Sequence, residues 1–399
     1  MRVISLFSGA GGMDLGFINE GFEIVWSNDM FLEATQTYKR NIGDHIVLGD
    51  ITKIDSSEMP DDVDVVIGGF PCQGFSVANT KRTIEDKRNF LYKEMLRVIR
   101  DKRPKVFVAE NVKGILSLAG GKVFEMIKKD FEDLGYDVDA KVLNAAEYGV
   151  PQARERVIIL GNRIGKKNNF PKKTHYINDK IYNEDVSNLL PAITVEEAIG
   201  YLNNVRLTHT PINLDNKIIY NHVASENVSN IFWGRKYEVN QHEICDYLRE
   251  WRKKSGWSTK KIDEHFGYKH TAGHWFRKDN NSGSIPKPED WWELKKIMGF
   301  DDKYDLQVTT LIEKQIKFEQ SLRITNWDRP SDTITATGPE IHINKKRRLS
   351  VRECAILQTF PDDFVFEGSL HRMYTQIGNA VPVKLAQKVA SEVRKLIEE

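Results

Sequence analysis

Two apolar segments of this chain end in groups that could do covalent chemistry together. Val63-Asp64-Val65-Val66-Ile67 runs into Gly68-Gly69-Phe70-Pro71-Cys72-Gln73-Gly74-Phe75-Ser76, and Val106-Phe107-Val108-Ala109 runs into Glu110-Asn111-Val112. A strand that ends in glycines, a proline and one cysteine presents a sulfur at the rim of a sheet, the place for a nucleophile. An isolated cysteine is more often a small buried hydrophobe, and here the neighbours argue otherwise. Gly68 and Gly69 allow close backbone approach, and Pro71 fixes the local direction of the chain. Cys72 and Glu110, a thiol and an acid at adjacent strand ends, form a candidate catalytic pair.

The elements that must position them alternate in the first third of the chain. Strands are expected near Val3 to Phe7, Glu23 to Ser27, His45 to Leu48, Val63 to Ile67 and Val106 to Glu110, with helices such as Phe90 to Asp101 and Val123 to Leu134 between them. That pattern predicts a doubly wound, mostly parallel sheet in an α/β fold. Val138 to Leu143 and Val157 to Gly161 are joined by Ala145 to Pro151, too short and broken for a crossover helix, so they should pair antiparallel at one edge. After Gly161 the regularity stops until Lys384 to Ile397, an amphipathic helix.

Composition bounds the partners. With 399 residues the chain is long enough for two domains, and a formal charge of +1 gives no global sign of a polyanion, so any nucleic-acid surface must be local. Three cysteines, Cys72, Cys245 and Cys354, far apart and without C-x-x-C spacing, suit a reducing compartment and argue against zinc or a disulfide framework. No signal peptide or membrane span is read, and a cytoplasmic location is expected.

Phe7-Ser8-Gly9-Ala10-Gly11-Gly12-Met13-Asp14 closes the first strand and opens a helix, as a cofactor loop does, yet Asp14 stands where the dinucleotide fingerprint needs its third glycine. A pyrophosphate is therefore disfavoured. Asn28-Asp29 places an acid for ribose hydroxyls, and Gly49-Asp50-Ile51 another for an exocyclic amine. Two acids and a glycine turn without a phosphate cradle suit a positively charged adenosine ligand, and S-adenosylmethionine fits.

At this point the chain resembles the cytosine-C5 DNA methyltransferases. The matching motifs are FSGAGGMDLGF from Phe7, GDI from Gly49, GGFPCQGFS from Gly68, AENVKG from Ala109, QARERV from Gln152, RPSDTITATG from Arg329, RRLSVRECAILQTFPDDF from Arg347 and QIGNAVP from Gln376, in the family's order. The resemblance implies a Rossmann-like S-adenosylmethionine-dependent methyltransferase sheet over 1–165, a smaller target-recognition domain over 166–326, and a return segment over 327–399 whose helix packs on the first domain. It also implies monomeric action, double-stranded DNA as substrate, and a prokaryotic restriction-modification setting with a separate cognate endonuclease.

Carried over by position, Cys72 attacks C6 of a flipped cytosine, Glu110 holds N3, and Arg156 contacts O2. Arg154 and Arg156 are the candidates to lower the thiol pKa. The cofactor residues are Phe7, Gly9, Ala10, Gly11, Gly12, Asp29, Met30, Asp50, Ile51, Pro71, Leu91, Asn379, Ala380 and Val381; Asp29 stands where the family usually has Glu. Ser76, Lys81, Arg82 and Arg88 lie in a basic loop expected to close over the base and touch phosphates. Lys345 to Arg348 reads equally as a phosphate grip or a solvated turn.

The stretch from about 240 to 300 belongs to no family motif and resembles a phage-repressor helix-turn-helix. Helices are expected over His242 to Lys254, Ser258 to Phe266, from Thr271 to Phe276, and over Pro288 to Met298, with Lys269, His270, Thr271 and His274 facing bases. The plainer alternative is a helical insert with Trp275, Trp291 and Trp292 as its core. Two other functions stay open: methylation of transfer RNA at the same carbon, and a DNA-binding regulator with an inactive core.

Overall fold

The computed structural model describes residues 1–71, 91–178, 182, 185–226, 241–267, 275–276, 285–309 and 323–398. Cys72, Ser76, Lys81, Arg82, Arg88, Lys269, His270, Thr271 and His274 lie outside the described residues. The chain divides into two compact units, the first comprising Met1–Val223, Asn326–Gly338 and Ser350–Glu399 and the second Ala224–Thr325 and Pro339–Leu349.

A seven-stranded sheet organises the first unit. Its strands are β1 (Arg2–Leu6), β2 (Glu23–Asp29), β3 (Ile46–Leu48), β4 (Val65–Gly68), β5 (Val106–Val112), β6 (Asp137–Asn144) and β7 (Glu155–Asn162), in the order β3-β2-β1-β4-β5-β7-β6. The first five run parallel, and β7 is antiparallel to both β5 and β6. The antiparallel pair is as expected, but β7 sits inside it and β6 forms the edge. Central strands are apolar throughout because both faces are covered: Val65, Val66 and Ile67 are fully buried.

Helices α1 (Gly12–Asn19), α2 (Leu32–Asn41), α3 (Tyr92–Lys102) and α4 (Lys122–Glu132) fill the crossovers. On α4 the residues Val123, Ile127 and Phe131 recur every four positions, and they join Met95, Val98 and Ile99 of α3 over one sheet face. The other face is covered by α1 and by the C-terminal helix Val383–Glu398, whose Leu385, Ala386, Val389, Ala390 and Val393 pack with Phe17, Val65 and Ile67. The last helix thus returns to the first strands, as the sequence requires. Ahead of it, Val351–Leu357 starts with a Ser350–Glu353 capping box, and Leu370–Asn379 starts at the Ser369 cap.

The compact units divide the chain at 223/224 and 325/326, with 339–349 in the second unit, where the expected boundaries stood at 165/166 and 326/327. Residues 166–223 belong to the first unit: Asn162 and Asn168 bond side chain to side chain at 2.8 Å, Thr174 N–H donates to Glu147 O, and the helix Val195–Ile199 bonds to Trp327 and Arg329 carbonyls. Pro339–Leu349 belongs to the second, where Ile341 pairs with Arg323 and Thr325 and Arg348 N–H donates to Ser225 O.

The second unit contains the helices Gln241–Ser255, Thr259–Phe266 and Pro288–Met298 around Ile244, Leu248, Ile262, Trp275, Phe276, Trp291 and Leu294. Ser258 caps the middle helix and Gly267 ends it at φ 70°. Trp292 is half exposed and forms no part of this core. Among the described residues no helix is long and apolar enough to cross a membrane.

Candidate active site

The strand order reverses between β1 and β4, because the chain moves outward through β2 and β3 on one side and through β4 and β5 on the other. A crevice beyond the carboxyl ends at such a switch point is where doubly wound sheets bind ligands. Both informative loops leave from it: Phe7 to Gly12 follows β1, and Gly68 to Pro71 ends β4. They start side by side, Leu6 being paired with Gly68.

The glycine turn is shaped from its own backbone. Phe7, Gly9 and Gly11 take φ of 56, 55 and 89°, left-handed values that favour glycine at the latter two. Asp29 fixes the turn from β2, its Oδ2 accepting from Gly9 N–H at 2.8 Å and its Oδ1 from Phe31 N–H at 2.9 Å. Burial pushes the Asp29 carboxyl up, and those amides oppose the shift. Below the turn, Asp14 is wholly buried and accepts from Ser5 Oγ and Tyr38 Oη, both at 2.7 Å.

Two further segments reach this region, one from the end of β3 and one from the return segment. Gly49 N–H donates to Asp29 O, so Asp50 follows at the β3 end, exposed, with Oδ1 accepting from Thr52 N–H and its hydroxyl, contacts that hold its carboxyl low. Ile51 is buried beneath it, and Arg97 of α3 donates to the carbonyls of Ile51 and Ile54. Ala380 and Val381 arrive from the return segment: Val381 O lies 2.5 Å from where a Cβ on Gly12 would stand. Asn379 is exposed at the end of its helix, and Leu91 sits at the start of α3, packed against the core.

The residues present fit an adenosine ligand that carries positive charge. Among the described residues nothing lies within 4 Å of where a Cβ on Gly9 would stand, Met30 beside Asp29 and Leu48 paired with it are exposed and apolar, and segments 7–13, 28–32 and 48–52 together hold Asp29 and Asp50 but no lysine or arginine.

The acid at the end of β5 has a partner. Glu110 Oε1 lies 2.7 Å from Arg156 Nε, with side chains 11 and 13% exposed. β7 delivers Arg156 opposite Val112 of β5, and its Nη1 also donates to Glu155 O at 2.7 Å. Burial pushes the Arg156 guanidinium down, and the Glu110 carboxylate opposes that. Glu110 Oε2 reaches within 3.1 Å of the position of a Cβ on Gly69, and Asn111 Nδ2 donates to Phe70 O at 3.2 Å. The carboxylate therefore stands over the chain that leads through half-buried Pro71 into position 72.

Arg154 is placed differently from Arg156. It is 1% exposed, and its Nη1 and Nη2 donate to Ile334 O at 2.9 Å and Gly378 O at 2.8 Å. It is a strut between the β7 entry and the return segment. Sequence reasoning missed three positioning residues. Asn111 was legible within the Glu-Asn-Val run, and Asp14 as an acid on an apolar helix face; the role of Arg97 gave no signal, because the carbonyls it holds, Ile51 and Ile54, lie over 40 positions away.

A mixed-charge cleft of about 750 Å³, lined by Glu132, Asp137, Lys166 and Lys167, opens at the opposite edge of the sheet and faces none of these groups.

A Rossmann-like sheet with a glycine turn and flanking acids at its switch point, and a carboxylate–guanidinium pair at the neighbouring ends of β5 and β7, is the architecture of the S-adenosylmethionine-dependent methyltransferases. The match to the family described as C-5 cytosine-specific DNA methylase spans residues 1–395, and the chain belongs to that family as a DNA (cytosine-5) methyltransferase. It is 34% identical over 401 residues to the Type II methyltransferase M.NgoFVII of Neisseria gonorrhoeae, covering 98% of this chain and 86% of that one. To the Type II methyltransferase M.AgeI of Thalassovita gelatinovora it is 32% identical over 439 residues, covering 100% of both. Among solved structures, the S. pombe Dnmt2 methyltransferase shares the fold with a TM-score of 0.55 at 16% identity, covering 99% of each chain.

Proposed function

We propose that the protein methylates C5 of a cytosine flipped out of duplex DNA, through a transient bond between Cys72 and C6, as the modification enzyme of a restriction-modification system. The observation that carries this reading is the Glu110–Arg156 pair held over the Gly69–Pro71 backbone. S-adenosylmethionine, bound by the glycine turn, Asp29, Asp50 and the Asn379–Val381 segment, supplies the methyl group.

Carbon 5 of cytosine is a poor nucleophile, so the ring must first gain electron density. The Cys72 thiolate adds to C6, and the ring electrons move toward N3 and O2. Glu110 shares or donates a proton at N3, and Arg156 offers guanidinium N–H groups to O2, both working at a nearly water-free strand end. After methyl transfer, water takes the C5 proton, the N3 proton returns to Glu110 and the Cys72 sulfur leaves as thiolate, which restores the aromatic cytosine. A base stacked inside a duplex is beyond reach of such a site, so the cytosine must leave the stack. The loop with Ser76, Lys81, Arg82 and Arg88 closes over it, and Lys269, His270, Thr271 and His274 read the target. Thiol activation falls to Arg156, since the two Nη groups of Arg154 are turned to the carbonyls of Ile334 and Gly378.

The family description supports DNA rather than transfer RNA as substrate, and the Type II methyltransferase names of the relatives support the restriction-modification setting. A monomer acting apart from its endonuclease is the expected working form. Bisulfite sequencing of plasmid DNA from cells expressing the protein is expected to show protected cytosines at one recurring sequence, and none with Cys72→Ser. Equal protection by that variant would remove Cys72 from its role.

A further inference from the structure

A second group of charges stands on the same edge of the sheet, outside the candidate active site. β6 ends at Asn144 and β7 begins at Glu155, and the connection passes the short helical turn Ala145–Tyr148 to Gly149, which places Gly149 beyond the carboxyl ends of the parallel strands. Two basic side chains converge there, with a third close behind. His175 Cε1 and Lys384 Nζ lie 2.8 and 3.0 Å from the point a Cβ on Gly149 would occupy. Lys388 is one helical turn beyond Lys384, and its charge acts on both Lys384 and His175.

None of the three has an ion-pair partner among the described residues. His175 is 8% exposed and its ring is fixed through Nδ1 to Thr174 Oγ1 at 2.8 Å, while Nε2 has no hydrogen bond to any described residue. Glu147, the carboxylate on the same turn, faces Lys173 at 3.8 Å. Folding has thus gathered two ammonium groups and an imidazole in a half-buried place where, among the described residues, no carboxylate forms an ion pair with them. Burial, with the repulsion of the neighbouring lysine charges, pushes both His175 and Lys384 down. Like charges so arranged destabilise the free protein and attract an anion.

We propose that His175, Lys384 and Lys388, around the side-chain-free Gly149, form a binding site for a phosphate group, occupied by the DNA backbone when duplex lies along the strand-end edge. The polynucleotide source rests on the methyltransferase reading; the phosphate chemistry does not. Compact ammonium groups suit a phosphate oxygen as point charges and carry no base preference, so they strengthen binding without reading sequence.

The test compares the wild type with Lys384→Gln/Lys388→Gln, and with His175→Gln as an independent variant. Affinity for a short duplex is measured against salt concentration, and thermal melting is measured in inorganic phosphate and in chloride at equal ionic strength. In chloride the double variant is expected to melt at or above the wild-type temperature, because repulsion is relieved; melting well below it would mark the lysines as structural and overturn the proposal. The slope of log K on log salt is expected to fall by about 0.9 for each phosphate that the variant no longer neutralises, and the stabilisation by inorganic phosphate to disappear. An unchanged slope without phosphate stabilisation would overturn the DNA source and leave a free-phosphate site. Unchanged slope and unchanged stabilisation would overturn the site. Absence of methyl transfer by the wild type would count against the methyltransferase reading alone, since the phosphate arm does not depend on it.

Discussion

Replacing Glu110 by Gln changes one charge and almost no volume at the centre of the site. Its carboxylate is 2.7 Å from Arg156 Nε, and both side chains are nearly buried. At an effective dielectric constant near 20, unit charges about 4 Å apart attract by about 4 kcal/mol, and the desolvation of both groups offsets part of that. Gln keeps an acceptor for Nε, so Glu110→Gln should cost about 2–3 kcal/mol of stability. Arg156→Met leaves a carboxylate unpaired and should cost about 3–5 kcal/mol. Because each single change already forfeits the attraction, the double variant should fall short of the sum by about 2 kcal/mol. Urea unfolding of the four proteins measures that coupling. Single-turnover methyl transfer by Glu110→Gln should be slower by about 10²- to 10⁴-fold, with cofactor affinity unchanged. Additive stabilities would show that the pair does not hold the site, and a loss of less than tenfold would remove Glu110 as the proton donor.

The buried Asp14 carboxyl is pushed up from 3.8 to about 6, chiefly by desolvation. Between those values the folded protein holds a proton that the unfolded chain has released, so this group makes stability fall as pH rises from about 4 to 6, by an amount on the order of 3 kcal/mol. Asp14→Asn should flatten that part of the stability–pH curve relative to the wild type; superimposable slopes would refute the placement. Arg154→Met would leave the carbonyls of Ile334 and Gly378 without their charged donors, at about 1.5–3 kcal/mol each. Its expected signature is lowered stability at nearly normal turnover per folded molecule, and full stability with abolished turnover would return Arg154 to the chemistry.

The parallel sheet and its strand-end groups were legible because buried central strands are written as apolar runs. Val65-Val66-Ile67 and Val106-Phe107-Val108 are such runs, and the residues just after each must lie at the carboxyl edge. The return of the C-terminal helix was legible in its apolar stripe. Arg154 was not legible: two-residue alternation would put it on the side of Arg156, but β7 starts only at Glu155, and Arg154 lies in a bend where its N–H donates to Gln152 O. The unit boundaries were hidden for a different reason. Pro339–Leu349 is held by Arg323, Thr325 and Ser225, pairings between distant positions that leave no local pattern. Likewise, nothing near Asp29 in the sequence shows that its carboxylate is engaged by Gly9 and Phe31 amides.

The most direct measurement uses duplex DNA whose cytosines carry fluorine in place of hydrogen at C5, so that the step releasing the enzyme cannot occur. After incubation with the protein and S-adenosylmethionine, intact mass and peptide mapping should find a stable DNA adduct at Cys72, absent in Cys72→Ser and much reduced in Glu110→Gln. Methylated duplex without any adduct, or an adduct on another residue, would contradict the account.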